Sequence, residues 1–363
     1  MTTFGIEEEY LLIDRDTGLP ASPSPEQTRT LHALEVAGGS ATAEWFTCQL
    51  EYNSPVHTET GPALSKLLGF RRALAATADR MGFAVAALGT APDHPRSPSE
   101  VSPGAHYSAV AELAPRFAVD HHVNGLHVHV GLADIATGVR ALNGLRPWLP
   151  VLVALGANSP VWQGADTGFA SWRTIHYRRW LVNGIPPRFH DLADYESRVA
   201  ALVALDAVPD RNCLGWIVRL SPRYGTLEIR ASDAQLRAGQ TVALASLARA
   251  LVVMSLAAPL PGDPPPELLD TACWQAARFG LSGTLLDPVS GTQQPAEAVV
   301  LGLLQRARPH FSDDADRECA EAGIARLLGQ GSGAARQRRA LGAGGLPGLL
   351  DFAAAELTAA DGE

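Results

Sequence analysis

The chain has 363 residues, 46% of them apolar and 18% charged, with a formal net charge of −9. That is enough apolar material for a sizeable core and too little charge for a disordered chain. The acidic balance argues against a nucleic-acid partner, because phosphate binding needs clustered positive charge. Cys48, Cys213, Cys273 and Cys319 are far apart and form no CxxC pair, so neither a disulfide framework nor a zinc knuckle is expected. Glu7, Glu8 and Glu9 stand where a signal peptide would be basic and then apolar, which implies a cytoplasmic protein. The apolar run Thr241 to Leu260 is broken by Arg249 and two serines and reads as a buried helix, with no membrane span. Lys66 is the only lysine, and no GxxxxGK[ST] occurs, so any use of ATP must rest on metals, arginines and backbone groups.

In chain order, residues Thr3 to Ile13 alternate as a strand, followed by a turn at Asp16-Thr17-Gly18. Phe46 to Asn53 reads as a second strand stopped by Pro55. Helical spacing runs from about Pro62 to Met81, then Phe83 to Leu88 is a short buried strand and Ala91 to Gly104 a proline-rich loop. Leu126 to Leu132 is a strand. Helices follow from Ile135 to Ala157, interrupted at Pro147 and Pro150, and Asn158 to Ser171 is a polar loop or lid. Asp191 caps a helix reaching Leu205. Trp216 to Leu220 and Thr226 to Ala231 form a strand pair turning through Pro222 and Gly225, ahead of a long apolar helix. Pro259 to Pro266 is a linker, and the remainder is helical with breaks at Gly329 to Gly333 and Gly342 to Gly345. Strands scattered among helices without a βαβ rhythm predict an α+β fold. Residues 1–258 are expected to form a sheet-and-helix core, and 259–363 a helical part packed into the same domain.

Side chains at i and i+2 leave a strand on one face. Four predicted strands collect metal-type or catalytic groups in this way: Glu7 and Glu9; Gln49, Glu51 and Asn53; His127 and His129; Glu228 and Arg230. Singly, each has a plain structural explanation, such as a solvated strand end, a structural histidine pair or a same-face ion pair. Together on one sheet they would form a cation site, since several carboxylates repel one another unless a cation or arginine lies between them.

FGIEEEYLLID, NGLHVHVGL and GTLEIRASD, with ALGANSPVWQGADTGFASWR, WQAARFGLSG and GSGAARQR, resemble the type 2 glutamate–cysteine ligase family of carboxylate–amine ligases. The resemblance runs in order from Phe4 to about Arg338 and implies a glutamine synthetase-like fold, a curved, mainly antiparallel sheet backed by helices. It implies ATP with Mg2+ (Mn2+ being acceptable), a carboxylate substrate with glutamate the best guess, and an amine such as cysteine. A homodimer is also open. By the same resemblance Glu7, Glu9, Glu51, His127 and Glu228 would be metal ligands, and Arg230 would contact phosphate or developing negative charge. His129 would support the metal ligands or contact the nucleotide, Arg173 and Asn53 would bind substrate, and Glu51 or a neighbouring carboxylate is a candidate base. RRWLVNGIPPRF lacks a proline expected near Leu181, which bears on the amine pocket. Two other readings stay open: a metal-dependent hydrolase built on the HxH strand, which would need further histidine or aspartate ligands at strand ends whereas the nearby His121 and His122 read as loop residues, and a ligase-like binder of nucleotide or amino acid without turnover.

Overall fold

The computed structural model describes residues 2–94 and 99–360. Its centre is one antiparallel sheet whose strands are β1 (Phe4–Asp14), β2 (Glu35–Val36), β3 (Gly39–Ala43), β4 (Gln49–Asn53), β5 (Phe83–Ala86), β6 (Gly125–Gly131), β7 (Val218–Ser221) and β8 (Thr226–Asp233). The spatial order is β7-β8-β6-β1-β4-β3-β2, and β5 continues along β1 beyond β6. This bears out the α+β, mainly antiparallel expectation. Three of the four predicted polar strands lie side by side at the centre, and β4, the fourth, lies on the other edge of β1.

Alternation sorts β1. Phe4, Ile6, Tyr10 and Leu12 join the main apolar core, shared with Leu50 and Tyr52 of β4, Val128 and Val130 of β6, and Leu227 and Ile229 of β8. Against that face pack helices α1 (Thr60–Asp79), α2 (Ile135–Leu145) and α3 (Ala238–Ala257). Glu8 also falls on this face and is fully buried. Arg71 of α1 meets it through Nη2 to Oε1 at 2.7 Å and Nε to Oε2 at 3.0 Å. The Thr241 hydroxyl donates to Oε1 at 2.6 Å and the Tyr10 hydroxyl to Oε2 at 2.5 Å. Arg71 also donates to the carbonyls of Gln235 and Leu236, at the entry to α3, to the Thr241 hydroxyl and to the Leu357 carbonyl.

Helix α3 is long and apolar enough to cross a membrane, yet most of it is buried in the core. Its one charged residue, Arg249, pairs with Asp316 at 2.6 Å, which accounts for a cation in an apolar run. Asp316 belongs to the helix Asp314–Gln330, which packs along α3. The last helix, Gly333–Thr358, bends at Gly345, where φ is +62°, and brings Leu357 into the same core.

Several boundaries differ from expectation. The second polar strand begins at Gln49 rather than Phe46, because a turn closes there: the Gln49 N–H donates to the Phe46 carbonyl, and the Gln49 side chain accepts from the Phe46 N–H. The hairpin of β2 and β3 and the helix Ala105–Leu113 lack a sequence signal strong enough to read. Part of the expected loop from Ala91 to Gly104 lies outside the described residues. Asn158 to Ser171 is not a free lid. Its ends are pinned to the buried Asp233, by the Ser159 hydroxyl at 2.7 Å and the Ser171 hydroxyl at 2.9 Å.

Removing Arg71 would strand a buried carboxylate. Replacing Arg71 with methionine is expected to cost about 3–5 kcal/mol, measurable as a lower midpoint in urea unfolding. A loss under about 1 kcal/mol would mean that Glu8 is satisfied without it.

Candidate active site

On the opposite face of β1, Glu7 and Glu9 point away from the core. Register places Glu7 opposite His127 of β6 on one side and Asn53 of β4 on the other, while Glu9 faces Glu51. His129 lies opposite Glu228 of β8. The predicted set is therefore gathered by pairing alone, before any side chain adjusts.

Distances confirm the convergence. Glu7 approaches His127 Nδ1 at 3.4 Å and His129 Nε2 at 3.1 Å. His127 Nε2 is 3.5 Å from Glu9, and its Nδ1 is 4.0 Å from Glu228. Ligand-type atoms of Glu7, His129 and Glu228 all lie within 4.8 Å of one another, and so do those of Glu7, Glu51 and His127. A third group, Glu9, Glu44 and Glu51, meets the same measure. The Nε2 atoms of His127 and His129 are buried without a hydrogen-bond partner, although both face carboxylates. Oxygen-rich triads with imidazole nitrogens left over fit hard divalent cations, with the imidazoles acceptable to manganese.

The arginines shape the field. Glu228 receives Arg219 Nε at 2.6 Å and also contacts Arg230 Nη1. Burial alone would raise the Glu228 carboxyl, but the two guanidiniums hold it well below the usual range. Glu7 is likewise lowered against its burial by hydrogen bonds and charge from His127 and His129. Glu44 and Glu51 lie on the other side of the balance. Burial, then the charges of neighbouring glutamates, pushes Glu44 up to about 8 and Glu51 well up. Both retain some exposure, onto a cavity that they line with Glu7 and Glu9.

Two cavities meet at Glu7. One, of about 300 Å³, is lined by Glu9, Glu44, Glu51, His127, Arg219 and Arg230 and by an aromatic and aliphatic wall. The other, of about 410 Å³, lies toward Asn53, His129, Tyr224 and Thr226. Asn53 donates to Glu51 at 3.1 Å and to the Thr42 hydroxyl at 2.8 Å, so it also braces Glu51. Arg173 begins a short helix, Trp172–Tyr177, and is buried outside the lining of both cavities. Its Nη1 donates to the Arg230 carbonyl at 3.3 Å. Its guanidinium fits only because residue 125 is glycine: a Cβ there would lie 2.4 Å from Arg173 Nη2 and 2.9 Å from His127 Nε2. Asn158 and Ser159 are buried supports, and Asp166 pairs with Arg338 at 2.9 Å, so none of these lines the cavities.

Sequence reasoning missed Glu44 and Arg219. Glu44 follows a strand, GSATA, too bland to read as one. Arg219 was legible in principle, because closing the hairpin through Pro222 and Gly225 puts it directly across from Glu228. His121 and His122 do not join His127 and His129 in any metal-type group among the described residues. His122 stacks instead on Phe46, with ring centroids 4.4 Å apart.

An antiparallel sheet backed by helices is also the fold of a solved glutamate–cysteine ligase. Over 99% of its length the chain superposes on the glutamate–cysteine ligase of Francisella tularensis solved in complex with AMP, covering 89% of that chain, with a TM-score of 0.73 at 11% identity. The chain belongs to glutamate–cysteine ligase family 2, whose profile it matches over residues 3–351. It is 36% identical over 345 residues to the protein named "Putative glutamate--cysteine ligase 2-1" of Nocardia farcinica, spanning 94% of this chain and 89% of that one. It is 38% identical over 354 residues to "Putative glutamate--cysteine ligase 2-2" of Saccharopolyspora erythraea, with the same coverages. The family makes it an ATP-dependent carbon–nitrogen ligase.

The raised carboxylates have a consequence for stability. A carboxyl whose folded pKa exceeds its unfolded value loses stability as pH climbs toward the folded value. Between pH 7 and 8.5, Glu44 and Glu51 should therefore lower the melting temperature of the metal-free protein, by about 2–4 °C. Millimolar Mg2+ should abolish the slope, and Glu44→Gln should reduce it. A flat melting profile in chelator for the wild type would contradict the assignment.

Proposed function

We propose that the chain joins the γ-carboxylate of glutamate to an amine, forming ADP and phosphate through an acyl phosphate, and that it works in the cytoplasm. The observation that carries this reading is the pair of carboxylate groups, Glu7–His129–Glu228 and Glu9–Glu44–Glu51, set side by side on one sheet face between two cavities. Such a junction suits a nucleotide on one side and an acid with its acceptor on the other. The absence of disulfides among Cys48, Cys213, Cys273 and Cys319 is compatible with a reducing compartment. We take residues 1–258 and 259–363 as one domain, since both contribute to the core.

A carboxylate is a poor electrophile because its oxygen leaves badly. Transfer of the ATP γ-phosphoryl group to it forms an O–P bond, breaks the bond to ADP and leaves an acyl phosphate. Mg2+, held by Glu7, Glu9, Glu44, Glu51, His127 and Glu228, would neutralise charge on the phosphates. Arg230, positioned by Glu228, stabilises the charge that develops during transfer. His129, on the side of the second cavity, faces the nucleotide. Asn53 holds Glu51, and Arg173 backs Arg230. The amine nitrogen then attacks the acyl carbon. As the C–N bond forms, the C–O bond to phosphate breaks, phosphate leaves with the electron pair, and Glu51 takes the proton released by nitrogen.

Incubation with ATP, Mg2+, glutamate and a panel of amines tests this. Amine-dependent ADP and phosphate together with a new amide by mass are expected, whereas AMP and pyrophosphate would sink the mechanism. Glu9→Gln and Arg230→Ala should each lower kcat by about 100-fold or more, read by coupled ADP release. Wild-type rates in either variant would remove that residue from the reaction.

A further inference from the structure

A second set of ligand-type side chains, chemically unlike the glutamate cluster, stands at the rim of the cavity that holds Glu9, Glu44 and Glu51. His106 belongs to the helix Ala105–Leu113, Asp210 caps the short turn Arg211–Cys213, and Cys213 ends it. His106 and Cys213 both line the cavity. One donor atom from each of His106, Asp210 and Cys213 lies within 4.8 Å of the other two.

The turn presets two of the three. Asp210 Oδ1 accepts the Asn212 N–H at 2.6 Å, and the Asp210 carbonyl accepts the Cys213 N–H at 3.1 Å. That leaves Asp210 Oδ2 facing His106 Nδ1 at 3.4 Å, with Cys213 Sγ 3.8 Å from the same nitrogen. A half-exposed histidine–aspartate pair by itself contributes little, and it accounts for the carboxylate but not for the thiol. A Cys–His–Asp relay would need thiol and carboxylate on opposite ring nitrogens, whereas here both address Nδ1. Three donors around one point fit a tetrahedral cation. With bonds of about 2.0 Å to nitrogen and oxygen and about 2.3 Å to sulfur, tetrahedral ligands stand about 3.3 Å apart for N and O and about 3.6 Å for N and S. The two spacings found are close to these.

Ligand softness points the same way. Carboxylates alone suit Mg2+, whereas a thiolate beside an imidazole selects Zn2+. Burial and then the Asp210 charge push the Cys213 thiol up to about 11, so a cation entering here displaces the thiol proton to solvent.

We infer that His106, Asp210 and Cys213 form a Zn2+-class site with water as the fourth ligand, separate from the oxygen-rich centre. No spaced motif announces it, because His106 and Cys213 are 107 residues apart. A cation bound there ties the helix Ala105–Leu113 to the turn at the cavity rim. Arg219 holds the turn from the other side, donating to the carbonyls of Asn212 and, at 3.0 Å, of Leu214 while it pairs with Glu228. The rim site and the glutamate face therefore share one arginine.

The test titrates the full chain with Co2+ in millimolar Mg2+, since Zn2+ itself has no d–d spectrum. Only a thiolate ligand gives Co2+ a sulfur-to-metal charge-transfer band, so the glutamate centre does not contribute to it. One equivalent of Co2+ at micromolar concentration is expected to produce the band, and one equivalent of Zn2+ to remove it. Cys213→Ser should abolish the band, and His106→Ala should weaken Co2+ binding at least tenfold. Both side chains are partly exposed, so neither change empties the core. Cys319→Ser and Glu9→Gln should keep the band. Its absence from the wild type overturns the inference, as does its survival in Cys213→Ser, its loss in Cys319→Ser or Glu9→Gln, or an unchanged affinity in His106→Ala.

Discussion

Three consecutive glutamates in one strand cannot share an environment, because a strand sends neighbouring side chains to opposite faces. Glu8 goes inward, where Arg71, Thr241 and Tyr10 close around it. Glu7 and Glu9 go outward. A slip of one residue would bury two carboxylates and expose one, and the single guanidinium of Arg71 could not compensate. The buried pair therefore acts as a register lock. It ties β1 to α1 and, through Thr241 and the carbonyls of Gln235 and Leu236, to the segment that enters α3. That segment follows β8, which carries Glu228 and Arg230, so one interaction behind the sheet aligns the strands whose other faces make the site.

In front of the sheet the problem is repulsion. Five glutamates, Glu7, Glu9, Glu44, Glu51 and Glu228, fall in three overlapping groups within each of which the ligand-type atoms lie within 4.8 Å of one another. The chain's own cations settle only part of it. Arg219 and Arg230 satisfy Glu228, and His127 and His129 favour ionised Glu7. Glu44 and Glu51 are left to raise their proton affinity instead. The protein thus divides into a half that is electrostatically settled by arginine and a half that is not. The unsettled half lines the cavity whose wall is aromatic and aliphatic.

Much of this was legible because strand periodicity is local. Glu7 and Glu9, Gln49, Glu51 and Asn53, His127 and His129, and Glu228 and Arg230 could each be assigned to a face from spacing alone, and the register then brought those faces together. What was not legible depended on contacts distant in sequence. The β2–β3 hairpin is short and its longer strand, GSATA, has only small side chains to reveal alternation, and Gly39 is small because Tyr52 lies over it: a Cβ there would stand 2.3 Å from the ring. With that hairpin unread, Glu44 had no face. The polar stretch from Asn158 to Ser171 looked like a lid because polarity usually marks solvent. Here its Asn158 backbone, Ser159 and Ser171 turn inward to satisfy Asp233, whose burial no local pattern announces.

The position of Arg173 shows how such supports bear on chemistry. Asp233 holds the ends of that stretch, and the Ser159 hydroxyl also accepts the Arg173 N–H at 3.0 Å. Arg173 in turn lies against the Arg230 carbonyl and over the ring of Tyr177, which also lines the cavity shared by Glu9, Glu44 and Glu51. The arginine expected from the sequence to bind substrate is, in the fold, a link between the buried Asp233 carboxylate and the backbone of Arg230. Its charge still reaches the site, because a guanidinium in a dry interior acts over several ångströms. Held at both ends by Asp233, the stretch passes that anchorage through Arg173 to the Arg230 backbone, and under the ligase reading proposed above a fixed guanidinium needs little reorganisation beside developing negative charge.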